Sequence, residues 1–94
     1  MQLNGQARQF APSATISWTD NGGPALLFDH ERDSYHALNK WATDLWRMLE
    51  SGANESEITT TLTQRYQAEP ETIAADVAAF LDSALASGLI VPRA

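Results

Sequence analysis

Apolar and polar residues alternate along the N-terminal part of the chain, and the rhythm then lengthens to three and four. Ala14-Thr15-Ile16-Ser17-Trp18 carries Ile16 and Trp18 on one face at a period of two, which predicts a strand. Thr19-Asp20-Asn21-Gly22-Gly23-Pro24 is turn chemistry, because glycine and asparagine tolerate positive φ. Ala25-Leu26-Leu27-Phe28-Asp29 predicts a second short strand, His30-Glu31-Arg32-Asp33 a polar turn, and Ser34 to Leu38 a third strand. Connections this short favour an antiparallel meander. The segment before it, 1–12, ends on Phe10-Ala11-Pro12 and reads as a loose arm.

From Asn39 onward the period is helical. Asn39 is placed to cap a helix in which Trp41, Leu45, Met48 and Leu49 form an apolar stripe, widened by Ala42 and Trp46 and stopped at Ser51-Gly52. Asn54-Glu55-Ser56-Glu57 has the spacing of a capping box and opens a threonine-rich helix with the thin stripe Ile58, Leu62 and Tyr66. Pro70 suits the first turn of a third helix, where Glu69 and Glu71 complement its dipole. Its apolar face is Ile73, Val77, Phe80, Leu81, Ala84 and Leu85, and Gly88 ends it. Leu89-Ile90-Val91 either adds a brief strand or packs down. The pattern as a whole predicts one α+β domain over 1–94, winged-helix-like, with a three-stranded antiparallel sheet followed by three helices.

Charge changes what that plan implies. Winged helices commonly grip nucleic acid through basic surface. This chain has 12 acidic residues against 6 basic ones and a net charge of -6, with no lysine or arginine from Glu71 to Ser87. Its field repels phosphate and attracts basic peptide. Cysteine is absent, so disulfides, thiolate nucleophiles and cysteine-zinc sites are excluded. No apolar run nears the roughly 20 residues of a membrane helix, and the N-terminus lacks a signal-peptide core. A cytoplasmic location without membrane contact is expected.

Candidate chemistry is sparse. His30 and His36 flank one hairpin and can be imagined on one ion, but the run matches no standard ligand spacing, and a polar turn has the same composition. No Gly-x-Ser-x-Gly elbow or other oriented acid, base and nucleophile set occurs, so no catalysis, cofactor or metal is expected. Asp76 is of more interest. It flanks the stripe of the third helix beside Phe80 and Ser83, with Ala75 and Ala79 nearby, an edge that can admit another chain or simply be solvated.

In order, Leu27-Phe28-Asp29, Tyr35-His36-Ala37-Leu38-Asn39, Leu45-Trp46-Arg47-Met48-Leu49, Glu57-Ile58, Leu62-Thr63-Gln64-Arg65-Tyr66, Asp76-Val77-Ala78-Ala79-Phe80-Leu81 and Gly88-Leu89-Ile90 resemble the PqqD family of precursor-recognition elements. The resemblance covers Ala25 to Val91 and is greatest to free-standing leader-binding proteins of lasso-peptide clusters. The turn 29–33 departs from it by lacking a glycine often found there, as does the long segment before Thr15. The resemblance implies a non-enzymatic module that holds the leader of a ribosomally made precursor by strand addition. It would present that leader to a separate leader peptidase, with a cyclase as a further partner. The expected leader-binding residues are Ser34, Tyr35, His36, Ala37 and Leu38 on the third strand, and Asp76, Val77, Ala79, Phe80 and Ser83 on the third helix. The alternatives are a nucleic-acid-binding winged helix and an adaptor that docks on an enzyme without touching its substrate.

Overall fold

The computed structural model describes residues 8–93. Three strands, β2 (Ile16–Thr19), β3 (Leu26–Asp29) and β4 (Ser34–Ala37), form an antiparallel sheet in the order β2-β3-β4. Three helices follow: α1 (Lys40–Glu50), α2 (Glu55–Tyr66) and α3 (Pro70–Ala86). The α+β plan expected from the pattern is therefore present.

A second, two-stranded sheet joins β1 (Phe10–Pro12) to β5 (Ile90–Pro92), with Phe10 opposite Pro92 and Pro12 opposite Ile90. This corrects the reading of 1–12 as a loose arm over its last residues. Phe10 is 3% exposed and belongs to the core; residues 1–7 lie outside the described range. Pro12 occupies a position whose backbone points away from β5, so the ladder needs no N–H there. The same pairing makes Ile90 and Val91 strand, with Leu89 just before it, and Leu89 and Ile90 are buried.

Helix boundaries follow local chemistry. The Asn39 side chain accepts the Ala42 amide at 2.8 Å, and Asn54 and Glu57 exchange two 2.8 Å bonds in a complete capping box. Ser51 and Ser87 cap α1 and α3 at their C-terminal ends, and the glycines that follow carry the positive φ of chain reversal, 99° at Gly52 and 77° at Gly88. α2 ends on Gln67 in the left-handed region, φ 51°, with no glycine. In the β3–β4 turn Asp33 adopts that conformation, φ 54°, filling by a tolerant residue the place a glycine would serve.

The core gathers Leu27 from the sheet, Leu45, Trp46 and Leu49 from α1, Ile58 and Leu62 from α2, and Ile73, Val77, Leu81 and Ala84 from α3, with Phe10 and Ile90 closing it. Two buried polar residues on α1 have specific partners. Thr43 Oγ1 accepts the Ala25 amide at 2.8 Å, which ties α1 to the start of β3. Asp44 accepts the Tyr66 hydroxyl at 2.6 Å, with Lys40 Nζ at 3.5 Å and Arg65 Nη1 at 3.4 Å, which ties α1 to α2.

Candidate functional site

Three-residue and four-residue strands leave many backbone groups to account for, and their directions locate the site. Leu38 N–H donates to Ala25 O at 2.9 Å, and the register pairs Leu27 with His36 and Asp29 with Ser34. Bonded pairs in an antiparallel ladder recur every second residue. Ser34, His36 and Leu38 therefore turn their backbone groups toward β3, and Tyr35 and Ala37 turn theirs outward. β4 is an edge strand, and neither outward amide has a partner among the described residues.

The other edges offer less. On β2 the outward Ile16 amide already donates to Ser13 O at 3.0 Å, leaving Trp18 alone. In the small sheet, bonds from Arg93 N–H to Gln9 O and from Ser13 N–H to Leu89 O set the outward residues as Phe10, Pro12, Ile90 and Pro92. Proline has no N–H, so these edges are blunted. Among the described residues, the β4 edge alone combines two alternate, unpaired residues with neither charge nor proline on them.

Two contacts set α3 beside β4. At the start of β4, the Arg32 guanidinium lies against Gly88; a Cβ there would stand 2.8 Å from Arg32 Nη1. Past the end of β4, the Trp41 ring meets Phe80 edge-on, with centroids 6.4 Å apart. These contacts bring the residues just before and just after β4 to the C-terminal end and the middle of α3, leaving a groove between strand and helix. Arg32 is held in turn by Asp29, whose carboxylate accepts the Glu31 amide at 2.9 Å, the Arg32 amide at 3.1 Å and Arg32 Nη1 at 3.2 Å. Burial acts to raise the Asp29 pKa, but the Arg32 amide, its guanidinium and the Glu31 amide together outweigh it and hold the carboxyl below the usual range.

The expected site residues separate accordingly. Ser34 and His36 are half-buried on the inner face of the sheet, opposite Asp29 and Leu27, and Leu38 is half-buried at the strand's end. Tyr35 and Ala37 are exposed on the outer face. On α3, Phe80 is half-buried at the groove, and Ser83 and Asp76 are exposed within about 60° of it around the helix. Asp76 stands one turn nearer the helix start, about 6 Å beyond Phe80. Ala79 is exposed, about 100° from Phe80, at the rim. Val77 is corrected: it is wholly buried in the core and supports the helix without offering surface to a guest.

Two residues with a role here were read only locally from the sequence. In the sequence Trp41 is part of an apolar stripe and Gly88 a helix stop; in the fold Trp41 meets Phe80, and the missing side chain of Gly88 also seats Arg32. The two histidines do not converge. His30 is on the outer face, against Phe28 at 4.5 Å and bonded to Ser17 at 2.8 Å, while His36 is on the inner face.

This is a small α+β domain with an open sheet edge walled by a helix. The family model for coenzyme PQQ synthesis protein D (PqqD) matches residues 25–90, and the chain belongs to that family. Two solved structures are similar over 89% of this chain. One is TbiB1 in complex with the TbiA(beta) leader peptide, at 20% identity and TM-score 0.84 over 98% of that chain. The other is a lasso peptide synthetase B1 complexed with the leader peptide, at 25% identity and TM-score 0.82 over 99% of that chain. No curated protein sequence matches. Among the described residues, no helix is long and apolar enough to cross a membrane.

Proposed function

We propose that this protein binds the leader segment of a ribosomally made precursor peptide as an added strand on β4, and presents it to a separate leader peptidase in lasso-type biosynthesis. The observation that carries the reading is the pair of outward, unpartnered backbone units at Tyr35 and Ala37 beside α3. The leader peptides bound by the two similar B1 proteins support it.

The energetics define what else the site must supply. Two outward residues offer up to four backbone hydrogen bonds, each worth roughly 1 kcal/mol net. Ordering the guest costs on the order of 1–2 kcal/mol per residue. Backbone pairing alone therefore barely holds a flexible peptide, and apolar anchors must be buried. The inward side chains of an added strand enter the groove beside His36, Leu38, Trp41 and Phe80, which supplies that burial. Ser83 lies on the groove wall, and Asp76 at its far end offers a carboxylate to a basic or hydrogen-bond-donating guest group. The role is non-catalytic: the chain binds and orients, and the chemistry belongs to the partner enzyme.

The test is backbone amide exchange with a leader peptide taken from a precursor gene neighbouring this one. Exchange at Tyr35 and Ala37 should slow on binding, while Ser34 and His36, already paired to β3, change little. Protection confined to other elements would move the site away from β4.

A further inference from the structure

The groove accounts for only half of an added strand's side chains. Successive residues point to opposite faces, so every second guest side chain projects onto the outer face of the sheet. That face is not an ordinary polar surface. Leu26 is 40% exposed and Tyr35 68% exposed, Phe28 stacks obliquely on Tyr35 with centroids 4.8 Å apart, and Ala37 is exposed opposite Leu26. Ser17 and Thr19 complete the face on β2, and none of these residues carries a charge. A shallow depression of about 190 Å³ lies here, lined by Ser17, Trp18, Thr19, Leu26, Phe28 and Tyr35.

We propose that Ala37 is a specificity-determining residue whose small side chain leaves a slot for one large apolar side chain of the bound peptide, which leans across it to Leu26. The inference rests on strand addition at β4. Ala37 turns its backbone outward, so the guest residue paired with it sits beside it on the same face. Leu26 lies on the far side of Ala37, two strand spacings or about 10 Å from the guest. A methyl group between them lets two long side chains meet over it, with Tyr35 as one wall. A larger residue at 37 would fill that space. The occupant is a leucine, methionine, phenylalanine, tyrosine or tryptophan side chain, because Leu26 and Tyr35 beside the slot are apolar and aromatic and the strand residues of this face carry no charge. The peptide is thus read on both faces, by the groove at one parity and by the slot at the other.

The probe is a displayed library of random 14-residue peptides, selected in parallel on the wild-type chain, on Ala37→Leu and on Leu26→Ala. Both positions are exposed, so neither change disturbs the core. Wild type should enrich peptides with a large apolar residue at one position of outer parity. Replacing that residue by alanine should weaken binding about tenfold, as for burial of one large apolar side chain. Ala37→Leu should instead enrich glycine, alanine or serine there and leave the inner-parity positions unchanged. Leu26→Ala should reduce the alanine effect to about twofold or less. The same large residue enriched on Ala37→Leu, or no outer-parity preference on wild type, overturns the slot. Selected peptides that leave the Tyr35 and Ala37 amides unprotected overturn strand addition itself, and the slot with it.

Discussion

Asp44 is a buried carboxylate with three partners. It is 6% exposed, yet it accepts the Tyr66 hydroxyl and faces Lys40 and Arg65. Burial acts to raise its pKa; the Tyr66 hydrogen bond and the two cations reverse that and hold it below the ordinary carboxylate range. Tyr66 is raised in turn, first by the same hydrogen bond and then by burial. The signs set two pH limits. A carboxyl depressed in the folded state contributes stability that is present above the unfolded value near 4 and lost as pH falls through the folded one. A phenol raised in the folded state contributes stability present below its unfolded value near 10 and lost as pH rises further. Tyr66→Phe should cost about 1.5–3 kcal/mol at pH 7, the range for a hydrogen bond to a charged group. In urea titrations the deficit should shrink as Asp44 protonates in acid. A deficit that is constant with pH would assign the loss to packing.

At the scale of elements, the β1–β5 pair decides whether the last helix is closed. Phe10-Ala11-Pro12 returns across the buried Leu89 and Ile90, joined by the Ser13 amide to Leu89 O at one end and the Arg93 amide to Gln9 O at the other. Arg8 holds the entry to β1, with bonds to Glu55 at 2.7 and 3.1 Å and a longer one to Asp82 at 3.4 Å. Phe10→Ala should therefore destabilise the protein by roughly 3–5 kcal/mol, as for a buried phenylalanine. That is a large share of the 5–15 kcal/mol typical of small domains. Denaturant melts that shift by less than about 1 kcal/mol would return this strand to a dispensable arm.

For the whole molecule, the question is whether its net charge of -6 acts as a field or through particular contacts. Asp76 separates the two. Field steering fades beyond a Debye length of about 8 Å at physiological salt, while a contact within a groove is screened less. Asp76→Asn keeps shape and removes charge. If Asp76 meets a basic group of the leader, the substitution should weaken binding by roughly 1–3 kcal/mol at both low and high salt. A loss seen only at low salt would make Asp76 part of the general field, and no loss in either buffer would make it solvated helix edge.

The amino-acid sequence by itself determined what depends on neighbours along the chain. The Asn39 cap, the Asn54–Glu57 box, Pro70 opening α3 and Gly88 ending it are local hydrogen-bonding and φ preferences, and all are where the pattern placed them. The three strands of the main sheet and the family were legible too, because period-two runs and ordered apolar positions need no knowledge of the fold. Tertiary structure decided the rest. Phe10 finds Pro92 across nearly the whole chain, and no local signal announces that pairing. The burial of Thr43 and Asp44 depends on partners in β3 and α2. Val77 and Phe80 belong to one apolar stripe in the sequence, and only packing makes the first core and the second groove. The open edge was equally hidden. Which backbone groups of β4 point outward is set by its register with β3, and whether they stay unpaired depends on what the remaining elements leave uncovered.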